Sequence, residues 1–170
     1  MHLRRTLALA TTTVALSLLS ACGEWATQEP YTPAVGTYNQ DGGVDVLNGV
    51  IVATEDGSGT FIAALSNNDD AEPASLEALE GIDQAQLTAE EFSPIEVPPS
   101  GLVNLAQEGG VPVSGEFALG DFVPVSVQFD NGERAELQVP VVPNCGDYGG
   151  LDGPADEELC TPPSPETSAH

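Results

Sequence analysis

The sequence predicts an all-β fold, a sandwich of about seven short strands with a flexible N-terminal tether before it and a C-terminal tail behind it. Two observations lead there. Between Val44 and Val142 the chain repeats short apolar, β-branched runs, each closed by a cluster of Gly, Pro, Asn or Asp. The last two runs alternate apolar and polar residues on both sides of Asp130-Asn131-Gly132-Glu133, the pattern of a hairpin with one face on a core and one in water.

Val44–Thr54 is almost continuously apolar (Val44, Val46, Leu47, Val50, Ile51, Val52), as expected of a strand covered on both faces. Glu55–Gly59 is a turn cluster. Thr60–Ser66 is a second strand, with Phe61, Ala63 and Leu65 on one face and Ile62 and Ala64 on the other. Asn67–Ala74 is a polar loop. In Ser75–Leu87, Leu76, Leu79 and Ile82 fit a helical period, but Gly81 interrupts it, so a short strand followed by irregular chain is expected. Pro94–Leu105 reads as extended chain around Pro98-Pro99-Ser100-Gly101, and Gly109-Gly110 turns it into Val111–Phe117. In the closing hairpin Val123, Val125, Val127 and Phe129 face Ala135, Leu137, Val139 and Val141, and Asn131-Gly132 suits a type I′ turn. The 99 residues of Val44–Val142 match an immunoglobulin-like or cupredoxin-like sandwich in size.

The N-terminus reads as an export signal. Arg4 and Arg5 precede a 13-residue apolar, uncharged run, Leu7–Leu19. A hydrocarbon core needs ~20 apolar residues, so this run is a signal h-region and not a span. It ends in Leu19-Ser20-Ala21-Cys22, which resembles a bacterial lipobox, with Cys22 as the residue that takes a diacylglyceryl group. Residues 1–21 are then the signal peptide, 22–43 the lipidated Cys and tether, 44–142 the sandwich, and 143–170 a disulfide loop and disordered acidic tail. The expected location is the outer face of the cytoplasmic membrane, held by the N-terminal lipid. Export also bears on Cys145 and Cys160, an even pair in an oxidising compartment, separated by a Gly-, Asp- and Glu-rich loop. A structural disulfide fits that spacing better than a metal or redox pair, whose cysteines usually lie two residues apart.

Charge excludes whole classes of partner. The chain carries 27 Asp and Glu against 3 Arg and no Lys, a formal net charge of −24, and all of its acids follow residue 21. A phosphate backbone needs a basic face, so nucleic acid is not a partner, and there is no polybasic membrane patch. Catalytic groups are equally scarce. After Cys22 the only His is His170, there is no Lys, and neither a Gly-x-Ser-x-Gly elbow nor a phosphate-cradling glycine loop occurs. Adjacent acids such as Asp69-Asp70, Glu90-Glu91 and Glu157-Glu158 are expected on solvated faces, and no enzyme activity is expected. Asp147–Glu158 has the length of an EF-hand loop, but Gly149 and Leu151 stand where oxygen ligands belong and Asp152 where Gly belongs.

The order of the pieces resembles a known family. "DVLNGVIVA", "GTFIAALSNNDDAEPASLEAL", "IEVPPSGLVNLAQEGG" and "FVPVSVQFDNGERAELQVPVV", with the approach "YTPAVGTYN" (Tyr31–Asn39), are similar to the periplasmic copper chaperone (PCuAC-like) family, and most so to its actinobacterial, LpqE-type lipoprotein branch. The resemblance implies a cupredoxin-like β-sandwich. Copper-binding members use His and Met ligands, a later pair arranged as His-x-Met just after a Gly-Gly turn. Here those positions fall on Pro112 and Ser114, and the earlier pair falls around Ile82–Leu87, which holds neither His nor Met. Cu(I) prefers thioether, thiolate or imidazole to carboxylate, so no metal site and no cofactor are expected. The function expected is that of a lipid-anchored, non-catalytic envelope module that binds an unidentified envelope protein. The alternative is a copper-handling protein in which His170, the cysteines or carboxylates replace the missing ligands.

Overall fold

The computed structural model describes residues 35–161. Cys22 with its lipobox, Trp25, Tyr31 and His170 lie outside the described residues. Ten strands run in order: β1 (Thr37–Asn39), β2 (Val44–Glu55), β3 (Ser58–Asn67), β4 (Ala74–Gly81), β5 (Leu87–Ala89), β6 (Ile95–Val97), β7 (Leu102–Asn104), β8 (Val111–Gly115), β9 (Phe122–Phe129) and β10 (Arg134–Pro143). Single 3₁₀ turns occupy Leu105–Gln107, Gly146–Tyr148 and Glu157–Cys160. Seven strands close a ring, β2-β10-β9-β4-β5-β8-β3 and back to β2, while β1, β6 and β7 attach to β2, β4 and β3. The β2–β10 pairing is parallel and the rest are antiparallel. The seven-stranded ring is the all-β sandwich expected from the sequence, with its strand order closed on itself.

The continuous apolar run of β2 is explained by a bulge. Leu47 pairs with Ala64 and Val50 with Ile62, so β2 holds one more residue than β3 over this stretch, with Asn48 at φ 54°. One extra residue exchanges the two faces of a strand. Val44 and Val46 therefore enter the central core before the bulge, and Ile51 and Ala53 after it. Val50 and Val52 turn to the opposite face, where they meet Ile62 and Val142 under Ala106, Tyr148 and Leu151. Both faces of β2 are thus buried by different partners.

Two expectations are corrected. Thr37–Asn39, assigned to the tether, forms β1, with Thr37 opposite Gly49 and Asn39 opposite Val46. Residues 143–161 form the expected disulfide loop, anchored by buried Asn144 and Cys145 and by Tyr148 and Leu151 packed on the outer cluster of β2 and β3. The β9–β10 turn is not type I′. Of its Asn-Gly pair only Gly132 has positive φ, +85°. Gly132 N–H donates to the Phe129 carbonyl and Phe129 N–H to the Glu133 carbonyl, both at 3.0 Å, which makes a three-residue loop closed by a left-handed glycine. The cause is tertiary: Asp130 accepts from Ser75 N–H at 2.9 Å and donates its own N–H to the Ser75 carbonyl at 3.0 Å, which ties the loop to β4.

Candidate functional site

The two segments to which the family resemblance assigns metal ligands lie side by side. β5 pairs with β8 through Leu87–Gly115, Thr88–Ser114 and Ala89–Val113. Glu116 N–H donates to the Gln86 carbonyl at 3.0 Å and Glu90 N–H to the Pro112 carbonyl at 2.8 Å. The Gln86 amide also donates to the Glu116 carboxylate at 2.8 Å. Alternation along β8 buries Val111 and Val113 and leaves Pro112 and Ser114 exposed. These two positions are therefore on display, as ligands would be, but a pyrrolidine and a hydroxyl offer nothing to a soft metal.

The connection before β5 is sharply folded. Ala85 N–H donates to the Ile82 carbonyl at 2.9 Å, and Asp83 and Gln84 between them both have positive φ, +53° and +76°. Two left-handed central residues define the type I′ geometry, found here and not at Asn131-Gly132. Glycines on either side permit it: a Cβ on Gly81 would overlap the Ala85 carbonyl, and one on Gly115 the Gln86 carbonyl. Next to this edge lies a shallow cleft of about 230 Å³ lined by Glu77, Leu79, Ala89, Glu90, Glu91 and Phe92. Its polar side chains are the carboxylates of Glu77, Glu90 and Glu91, with no His, Lys or Cys among the lining residues. Among the described residues no three His, Cys, Asp or Glu side chains are grouped to hold a metal ion.

The organised polar chemistry lies elsewhere, in the C-terminal cap. Cys145 and Cys160 are joined in a disulfide, with their Cα atoms 5.9 Å apart. Their sulfurs are therefore not thiolate ligands, which removes one version of the copper-handling alternative. The Asp152 carboxylate accepts from Thr54 N–H (3.0 Å), the Thr54 hydroxyl (3.1 Å) and the Thr60 hydroxyl (2.9 Å). Asn144, fully buried, donates to the Thr54 hydroxyl (3.0 Å) and to the carbonyls of Asp152 (2.7 Å) and Pro154 (2.9 Å), and accepts from Gly150 N–H (2.8 Å). Asp152, the residue at the glycine position of the EF-hand comparison, is occupied by protein donors. Burial and then the Asp147 charge push the Tyr148 hydroxyl above its usual range. This network is invisible in the sequence, because its members lie up to 98 residues apart and none belongs to a recognisable motif.

No family model and no curated protein sequence matches the chain. Solved structures do. The copper-bound PCuAC domain from PmoF2 superposes with a TM-score of 0.51 at 14% identity, covering 63% of this chain and 98% of that one. The apo PCuAC domain from PmoF1 gives 0.50 at 19% identity, covering 62% and 98%. The apo PCuAC domain from PmoF2 gives 0.50 at 13%, covering 63% and 95%. Each of those domains is spanned almost whole by this chain. The β-sandwich of this protein has the fold of a PCuAC domain.

Proposed function

We propose that the protein is a lipid-anchored extracytoplasmic module that uses a PCuAC-type sandwich to bind a partner protein in the envelope, without catalysis and without carrying copper through a His and Met site. One observation carries this reading: at the β5–β8 edge the exposed ligand positions are Pro112 and Ser114, and residues 35–161 contain neither His nor Met. A copper-bound neighbour of the same fold makes copper the natural cargo to consider, and the donor set of this chain does not fit it. The sequence motif at Leu19–Cys22 supports the anchor, and the absence of nucleophile–base pairs supports a binding role.

Detergent phase partition and photo-cross-linking on the full-length chain test both halves. A photoreactive residue is placed at Leu102 or at Phe122, exposed apolar positions at 60% and 67%. The native chain is expected in the detergent phase, Cys22→Ser in the aqueous phase, and a discrete protein adduct from at least one position. Aqueous partition of the native chain would overturn the anchor. Absence of any protein adduct would overturn the partner-binding role.

A further inference from the structure

We infer that the open seam between β6 and β7 is a strand-addition groove for an extended, cationic segment of a partner polypeptide; this deepens the partner-binding reading above and rests on it. The ring of strands has two places where neighbours diverge. At the first, between β2 and β10, β1 lies along β2 and its Asn39 amide reaches the Glu136 carbonyl of β10 at 3.3 Å, so a short extended segment fills the gap. At the second, β5 and β8 close the ring at one end only. Beyond them β6 pairs with β4 and β7 with β3, and among the described residues no pairing joins β6 to β7. Their facing edges offer backbone donors and acceptors, which is what strand addition uses.

The seam holds a groove of about 480 Å³, within the range of ligand-sized clefts. Its floor is apolar, with Phe92, Ile95 and Val103 packed on the core yet only partly buried, and Pro94 on its wall. Its rim carries Glu96 and Glu108, both exposed, with Glu90 and Glu91 in the adjoining cleft. An apolar floor between carboxylates selects an extended segment that alternates apolar and basic side chains. A second copy of this chain cannot supply one, since the 3 Arg residues include only Arg134 among the described residues and there is no Lys.

The probe is a fluorescein-labelled Lys-Val-Lys-Val-Lys-Val-Lys-Val peptide, titrated by anisotropy into the detergent-solubilised full-length chain. Glu96→Arg with Glu108→Arg is expected to weaken binding about tenfold, whereas Glu55→Arg with Glu136→Arg, the same charge change far from the seam, is expected to change it less than about twofold. Peptide is also expected to slow, about fivefold, exchange at those amides of Ile95–Val97 and Leu102–Asn104 that the ladders with β4 and β3 leave unbonded. Equal weakening by the two variant pairs would reveal general attraction to an acidic surface and overturn the inference, as would no binding. Slow exchange at those amides without peptide would mean that the chain covers its own seam, by another copy or another segment, and would also overturn it. Cross-links from Phe122 but not from Leu102 would leave the partner-binding role standing while the seam fails.

Discussion

The C-terminal cap and the β5–β8 edge treat polar side chains in opposite ways. In the cap, Asn144, Asp152, Thr54 and Thr60 satisfy one another in a partly buried network locked by the Cys145–Cys160 bridge. At the edge, Pro112 and Ser114 face solvent without side-chain partners of that kind, although the fold presents them well. Buried networks are costly to leave half-made, so they persist where the architecture needs them. Exposed strand positions carry no such constraint. The difference teaches that, among the described residues, the organised polar side chains are those that fix the cap to β2 and β3, while the exposed positions of β8 carry no such network.

Four variants can break or sharpen that contrast. Asn144→Ala removes four hydrogen bonds and leaves buried partners unsatisfied, and a loss of about 4 kcal/mol in urea denaturation is expected. Opening the bridge with Cys145→Ser and Cys160→Ser frees a loop of separation 15 and is expected to cost about 3 kcal/mol by the chain-entropy relation. A cap that contributes little would show near-native unfolding midpoints in both cases.

The third effect is smaller and depends on pH. Asp130 is held below its usual 3.8 by the Ser75 N–H that donates to it. A depressed folded-state value means that its contribution is present above pH 3.8 and is lost as pH falls through the lower, folded value. Asp130→Asn is therefore expected to flatten the acid limb of the stability profile and leave its neutral region nearly parallel to the native curve. An unchanged acid limb would remove this turn from the acid sensitivity. The smallest effect belongs to the edge: Ser114→Ala is expected to stay within about 0.5 kcal/mol of native, and a larger loss would mean that the edge has a structural role after all.

Where the fold follows from local pattern, it is legible in the residues. β3, β9 and β10 are period-two runs, and their buried sets (Phe61, Ala63, Leu65; Val123, Val125, Val127; Ala135, Leu137, Val139) are those read from the alternation. The Ser75–Leu87 segment is a strand followed by irregular chain, as Gly81 suggests. What escapes is set by distant partners. The Asn48 bulge exchanges the faces of β2 midway, so that Val44 and Val46 enter the core before it and Ile51 and Ala53 after it, and β1 forms only because β2 and β10 diverge beside it. The type I′ turn falls on Asp83-Gln84, which carries no glycine to announce it, while Asp130 binds β4 and draws the Asn-Gly turn into another geometry. At the candidate site, the residues themselves show only that Pro112 and Ser114 are neither His nor Met. The Asp152–Asn144 staple is not legible, because solvated and buried acids look alike in a chain with 27 of them.

The most direct measurement is a Cu(I) competition titration of the full-length chain, with Cys145–Cys160 oxidised, against a chromophoric chelator. A variant carrying Pro112→His and Ser114→Met on the exposed face of β8 runs beside it. We expect the native chain to leave the chelator's copper in place and the variant, with two soft donors restored to a displayed edge, to withdraw part of it. A tight one-to-one complex with the native chain would contradict the reading of a PCuAC fold without its metal chemistry.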